Sequence, residues 1–544
     1  MAGNKIVRLG LLLLFASLSG WAQENRYMVF FKDKNGIAQT TANPIEFLSQ
    51  KAIQRRLDQN IDITDRDLPV QRDYIQGVKD AGGETRYSTR WFNGVLVTCQ
   101  PSEIQSIAAL PYVDRTEYLG PPEESSGGRR SFNVRKNTSH AGVETESQLK
   151  MLGIDEMHEA GFAGKDVVIA IFDSGFPGVN VGSAFQNLFA EGRFDEDVSY
   201  DFVHHSPDVF HHDDHGTEVF SVIAAEIPDA YTGGAPKATF QLFVTEDVPS
   251  EYRIEEYNWV FAAERADSAG ADIIHASVGY YDFDDPSMNY TVAQMDGKTT
   301  VVTRAAQWAS ERGIVVVTSA GNEGNIPSWR IITAPADGQD VLAVGGVNHS
   351  RQKTSSSSIG PSADGRVKPD LAALGSGVKV VKASGQISTA SGTSLSAPLV
   401  TSLVAGVMVA YPELSGRDIV ALLRETASQA NMPDNLLGYG IPNFKAVVNF
   451  LDRVQQTEPF AIYPNPLKGP DTLIIRPMDP ETFDACQIEI VSSQGQVLAS
   501  ARVTFDWLNR THQTTVLSGL APGIYYIRIS ANKKRHTFRV VKLR

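Results

Sequence analysis

A chain of 544 residues, 42% hydrophobic and 21% charged, has room for two to four domains and the make-up of a globular protein with a large core. Its net charge of −14 argues against nucleic acid or an anionic membrane surface as partner, since both require clustered Lys and Arg.

Lys5 and Arg8 precede an apolar run from Leu9 to Ala16, and the small residues Ser17, Ser19, Gly20 and Ala22 follow. That is the pattern of a secretory signal peptide over residues 1–22, cut after Ala22 or Gln23. The run is too short to cross a bilayer and no later segment approaches the needed length, so no membrane span is expected in the mature protein. Cys99 and Cys486 stand alone and far apart, and no structural bridge between them is expected.

Residues 26–36, RYMVFFKDKNG, predict a strand that turns at Asn35-Gly36. Ile45, Leu48, Ala52, Ile53 and Leu57 give residues 43–59 helical spacing. A second strand is expected over 89–100 and a second helix from Pro101, which makes 24–119 a small α+β domain. Residues 120–147 then turn rich in Pro, Gly, Ser and Arg and read as an exposed, protease-sensitive linker.

The character changes over 148–452. KDVVIAIFDSGF (165–176), GADIIHASVGY (270–280), RGIVVVTSAGNEGN (312–325) and QDVLAVGGVN (339–348) are apolar strands ended by small or polar residues. Uniformly apolar strands belong in a parallel sheet covered on both faces. Helical patterns lie between them at 253–270 and 300–313, so the fold class is α/β, a doubly wound and mostly parallel sheet. Sites in such sheets gather at the carboxyl ends of strands, where Asp173, Ser277 and Asn322 fall. From 460 to 544, short strands separated by Gly, Pro and Asn turns predict a small antiparallel β-sandwich.

Acyl transfer by serine needs a hydroxyl, a base, a carboxylate that orients the base, and donors for the oxyanion. Asp173 ends a buried strand, His215 opens HGTEVFSVIAAE, Asn322 lies in SAGNEG, and Ser394 lies in SGTSLSAP with Pro398 placed in the first helical turn. Taken singly, these are a turn acid, a cap neighbour, a tight turn and a helix start. Their co-occurrence in the order Asp, His, Asn, Ser is what points to catalysis. The G-x-S-x-G elbow of α/β-hydrolases, with its serine first, is not met.

DSG, HGTEV, SAGNEG and SGTSLSAP resemble the four signature segments of the subtilisin-like serine peptidases, the subtilases, and the likeness extends over about 148–452. Ile359, the AALG that replaces a commoner A-P-G, and His275 in place of Asn or Asp depart from the usual pattern without removing a catalytic group. The resemblance implies an Asp173–His215–Ser394 triad, with the Asn322 amide and the Ser394 N–H as oxyanion donors. It also implies an extended substrate against Ser277-Val278-Gly279 and Ala320-Gly321, with Glu323 either touching the S1 base or facing solvent. No cofactor is required for that chemistry.

Five His and three Asp crowd residues 203–216, VHHSPDVFHHDDHG. Without an H-E-x-x-H motif they read as a solvated loop in which His215 alone is catalytic, so the metal ligands are left unassigned. Acidic residues in YYDFDDPS (280–287) leave room for structural calcium but lack a recognisable ligand pattern.

The 24–119 block resembles subtilase propeptides of Bacteroidetes, which implies a zymogen whose propeptide inhibits the mature site, with Arg129-Arg130 one candidate for cleavage. Residues 460–544 resemble a type IX secretion sorting domain, which implies that machinery as a partner and a secreted or cell-surface location. The expected activity is a secreted serine endopeptidase acting on proteins or peptides. The alternatives are an inactive subtilase-like surface binding module and a metal-dependent hydrolase built on the histidine cluster.

Overall fold

The computed structural model describes residues 24–122, 145–457 and most of 460–542; the signal peptide and Arg129-Arg130 lie outside the described residues. Two compact units divide at Phe444 and Lys445.

In the first unit, strands β1 (Asn25–Phe31), β2 (Glu84–Thr89), β3 (Gly94–Cys99) and β4 (Val113–Gly120) make an antiparallel sheet in the order β2-β3-β1-β4. Helices α1 (Gln50–Asp58), α2 (Arg72–Asp80) and α3 (Glu103–Ala108) accompany them. Nearly every residue of β1 is buried, because both faces of the sheet are covered. Tyr27, Val29 and Phe31 pack with Val78 of α2 and Ile107 of α3. The alternate residues Met28 and Phe30 point the other way, into the core shared with the parallel-sheet region. The simple strand–helix–strand–helix reading therefore missed α2, β2 and β4. β2 is polar and alternately exposed, and β4 carries Asp114, Arg115 and Glu117, so neither shows an apolar run. At the other end of the expected linker, a helix already begins at Glu146.

The second sheet has seven parallel strands: β5 (Val168–Asp173), β6 (Tyr200–Asp201), β7 (Thr239–Val244), β8 (Ile273–Ala276), β9 (Val315–Ser319), β10 (Val341–Val347) and β11 (Leu371–Leu374). Their order is β11-β10-β9-β8-β5-β7-β6. Four of these strands were legible as apolar runs; β6, β7 and β11 were not singled out. Helices α4 (His215–Ala224), α5 (Ile254–Ala269), α6 (Val301–Glu311) and α7 (Thr393–Ala410) surround the sheet. α7 is long and apolar enough to cross a membrane, contrary to the expectation that no later segment is. It is instead a core helix, buried from Thr393 through Val407.

The four-stranded domain sits on α5 and α6. Phe30 and Phe92 meet Tyr257, Phe92 meets Trp308, and Tyr87 meets Phe202 and Phe261. Charge is buried beside this apolar contact. Asp267, on α5, is fully buried and accepts from Arg55 at 2.5 Å, Arg56 at 2.9 Å and Arg90 at 2.8 Å. Asp67 answers Arg312 at 2.8 Å. Glu264 accepts from the Thr89 hydroxyl and from the backbone N–H groups of Arg90 and Trp91.

In the second unit, β12 (Phe460–Tyr463), β13 (Leu473–Pro477) and β16 (His512–Thr514) form one antiparallel sheet. β14 (Ala485–Ser492), β15 (Val497–Thr504), β17 (Gly523–Ala531) and β18 (Lys534–Lys542) form another. Phe460 and Ile475 of the first share a core with Ile488, Ile490, Ile527 and Ile529 of the second, the two-sheet packing of the expected sandwich. Cys99 and Cys486 are both buried free thiols.

Candidate active site

β5 delivers Asp173 at its carboxyl end, where the Asp173 carbonyl accepts from Thr245 N–H at 3.0 Å. The chain then turns at Gly175 with φ +142, and a Cβ there would lie 2.2 Å from the His211 carbonyl. Gly216 makes the matching approach from α4: its Cβ would lie 2.3 Å from the Gly175 carbonyl and 2.9 Å from Asp173 Cβ. The glycines of DSG and HGT are thus what let the start of α4 close on the tip of β5. His215 Nδ1 reaches Asp173 Oδ1 at 2.8 Å, and both side chains are buried. Asp173 Oδ1 also accepts from Ser174 N–H at 2.8 Å, while Oδ2 is buried with no hydrogen-bond partner among the described residues.

Burial works against the imidazolium of His215. The Asp173 carboxylate and its hydrogen bond outweigh that cost, with Asp213 and Glu218 adding to them, and the pKa is pushed up to about 9. Two more buried titratable groups lie near this pair. Burial pulls His275 down to about 3, so it is neutral, and pushes Glu246 up to about 7.

Ser394 is the second residue of α7, so its N–H is among the first-turn donors that have no partner within the helix. Asn322 is pinned beside it: Oδ1 accepts from Thr393 N–H at 2.9 Å and from Thr393 Oγ1 at 3.1 Å. A backbone N–H can only donate, so the oxygen must face Thr393 and the Asn322 NH₂ is turned away from it. Sequence reading gave Thr393 no role; its place beside a candidate nucleophile was the available signal.

Pro398 is the sixth residue of α7, inside the helix and not in the first turn. It has no N–H for the carbonyl four residues back, which belongs to Ser394. Ser277 Oγ supplies that bond at 2.8 Å, and Ser394 Oγ lies 3.5 Å from the Ser277 carbonyl. With its proton committed to Ser394, Ser277 Oγ must accept from His275 Nε2 at 2.9 Å. His275 Nδ1 then accepts from Thr401 Oγ1 at 2.8 Å. His275, noted in the sequence only as a departure, therefore ties β8 to α7. The other serines of SGTSLSAP serve the scaffold: Ser391 Oγ accepts from Gly377 N–H, and Ser396 Oγ donates to the Thr393 carbonyl.

Ser277 and Val278 are buried just past β8 and Gly279 is exposed; Ala320 and Gly321 are buried just past β9. Thr333 spans the two segments. A Cβ on Gly279 would meet its Oγ1 at 2.2 Å and one on Gly321 at 3.1 Å, and that hydroxyl is buried without a partner among the described residues. Sequence reading missed Thr333, which no motif marks. Glu323 is half-buried: it accepts from Ser358 Oγ at 2.9 Å, and its Oε2 stands 2.5 Å from where a Gly321 Cβ would be. Burial pushes its carboxyl up.

The two loops weighed as metal sites differ from each other. The acids of 280–287 do not converge on one point among the described residues; Asp285, for one, accepts from Ser287 N–H at 2.9 Å. The histidine-rich loop is solvent-exposed at His204 and His211, and the candidate ligand atoms of Asp201, His204 and His212 lie within 4.8 Å of one another.

Residues 164–440 match the Subtilase family, 26–134 the Bacteroidota peptidase S8 propeptide domain, and 461–543 the secretion system C-terminal sorting domain. A subtilisin-like protease of Arabidopsis thaliana, SBT6.1, is 24% identical over 64% of this chain and 30% of its own length. Subtilisin NAT of Bacillus subtilis subsp. natto is 28% identical over 50% of this chain and 63% of its own length. The chain thus spans less than two thirds of these relatives. Among solved structures, the epidermin leader peptide processing serine protease EpiP of Staphylococcus aureus superposes with a TM-score of 0.54 at 17% identity. That superposition covers 78% of this chain and 99% of the other, and concerns the fold alone. With the family match covering half of the chain, this protein belongs to the subtilase family.

Proposed function

We propose that the chain is a secreted serine endopeptidase, made as a zymogen, that hydrolyses peptide bonds through an acyl-enzyme. The observation that carries this reading is the buried Asp173–His215 hydrogen bond at 2.8 Å, together with an Asn322 amide pinned beside Ser394 by Thr393. Ser394 Oγ attacks the carbonyl while His215 takes its proton and returns it to the leaving amine. Asp173 holds the tautomer in which Nε2 is the base and offsets the imidazolium charge. The Asn322 NH₂ and Ser394 N–H receive the oxyanion, each donor contributing roughly 3–4 kcal/mol to the transition state. Water then attacks the acyl-enzyme with His215 as base, which releases the acid product and restores Ser394.

An extended substrate lies along 277–279 and 320–321 as an added strand, with Thr333 and Glu323 at the base of the adjoining pocket. Residues 24–119 act as the inhibiting propeptide, consistent with their buried contacts on α5 and α6. The C-terminal domain directs the chain through type IX secretion to the cell surface or medium, which the sorting-domain match supports.

Maturation tests the proposal. The purified full chain is expected to remove its own propeptide and then cut an unfolded protein substrate, while Ser394→Ala stays full-length and inert. A Ser394→Ala chain that still matures and cuts, with no other peptidase present, overturns it.

A further inference from the structure

We propose that Asp201, His204 and His212 form a binding site for a divalent transition-metal ion, zinc above all, in the loop that leads into His215. Asp201 ends β6 and its side chain is fully buried. One oxygen, Oδ1, is committed to the backbone N–H groups of Val203 at 2.9 Å and His204 at 2.8 Å. The other, Oδ2, faces both imidazoles: His204 Nδ1 at 3.0 Å and His212 Nε2 at 3.2 Å. All three ligand atoms lie within 4.8 Å of one another.

Those separations suit a small tetrahedral ion. Bonds of about 2.0–2.1 Å at the tetrahedral angle set ligand atoms about 3.3 Å apart. Two imidazole nitrogens and one carboxylate oxygen also suit zinc and its neighbours better than calcium, which takes 6–8 oxygens. Three protein ligands leave a fourth position for water.

The two rings now stack face to face, 3.7 Å apart and 9° from parallel. Their in-plane lone pairs converge on one ion only if the rings splay. His204 and His212 are 44% and 34% exposed, so they can turn while the buried carboxylate stays fixed. His212 also has φ +75, a conformation unusual for histidine, and pairs with Gly175 across an antiparallel bridge.

Position gives the ion its role. His212 is three residues before His215, and Asp213 between them accepts from His215 N–H at 3.0 Å and from Ser174 Oγ at 3.3 Å. An ion joining Asp201 to His212 closes the 201–212 loop on itself and braces the entry to α4. All three ligands lie outside 24–119, so the site outlasts loss of the propeptide.

The test uses the full chain carrying Ser394→Ala, stripped with a chelator and dialysed. Zinc chloride is titrated by calorimetry and bound metal is counted by atomic emission. One zinc per chain is expected, with a rise in melting temperature and strong visible bands when cobalt(II) replaces zinc. His204→Ala and His212→Asn, the latter chosen because Asn tolerates positive φ, should each weaken zinc by at least about 100-fold, since outer-shell partners alone are worth 10–100-fold. His211→Ala, in the same loop, should keep the ion. Circular dichroism in the absence of metal checks that each variant folds. The inference is overturned if the parent binds no zinc, if it binds only calcium, or if folded His204→Ala and His212→Asn hold zinc as tightly as the parent.

Discussion

Ser277 donates its hydroxyl to the Ser394 carbonyl at 2.8 Å, the one carbonyl of α7 that Pro398 leaves without its helical donor. The proline frees an acceptor beside the candidate nucleophile, and a serine from the neighbouring strand occupies it. The proposed substrate-binding segment and the proposed nucleophile are thereby joined by one hydrogen bond, backed by His275 and Thr401.

Ser277→Ala leaves that carbonyl buried and unanswered, so a loss of about 1–3 kcal/mol in unfolding free energy is expected. Pro398→Ala restores a helical N–H for the same acceptor. The double variant should therefore be more stable than the sum of the single effects allows, as denaturant unfolding of all four proteins would reveal. Strict additivity would mean that the two residues do not share the carbonyl.

Asn322→Ala removes the proposed oxyanion donor, and kcat should fall by about 10²–10³ with KM little changed, as when one oxyanion-hole donor is lost. Thr393→Val keeps the N–H bond to Asn322 but deletes the hydroxyl one, so a fall of about tenfold is expected. Thr393→Ser should restore most of it. Steady-state kinetics on one peptide substrate separates these outcomes.

In the proposed mechanism His215 must be neutral to take a proton from Ser394. Its folded pKa stands above the ordinary 6.5, held up mainly by Asp173, so the acidic limb of kcat/KM should have its midpoint above 6.5. The same shift has a stability consequence. The protonated pair stabilises the fold fully below about 6.5, and that contribution is lost as pH rises through about 9. A pH series of melting curves, run with Ser394→Ala and with His215→Ala in that background, isolates the contribution.

Asp267 is surrounded by three propeptide arginines and Arg312, which hold its carboxyl well below the usual range against the cost of burial. Its ionised form is therefore kept even in moderate acid, and mild acidification should not release the propeptide through this residue. Asp267→Ala leaves those guanidinium groups without their shared partner. It should weaken the propeptide contact by about 3–5 kcal/mol, seen as a lower melting temperature for the unprocessed Ser394→Ala chain. The matured enzyme, having shed Arg55, Arg56 and Arg90, should be far less affected.

The parallel sheet was legible because strands such as Val168–Asp173 are uniformly apolar, and the motifs fell at their carboxyl ends as such sheets require. Polar strands such as β2 were not, since their burial depends on a partner domain that local pattern does not encode. Four candidate site residues could be named from motif order. Thr333 could not, because it enters the site only through its contacts with two glycines distant in sequence. Pro398 was placed in the first turn because a sequence does not show that α7 begins as early as Thr393. Asp201 was not weighed with the histidines because it stands outside the histidine-rich span and comes beside them through pairing of β6 with β7.

The assignment of Ser394 as nucleophile is tested most directly by a fluorophosphonate probe on the secreted, processed protein, followed by peptide mass spectrometry. One adduct is expected, on Ser394, with parallel loss of peptide hydrolysis and with no labelling of Ser394→Ala. Hydrolysis that persists without an adduct, or an adduct that persists in Ser394→Ala, would contradict it.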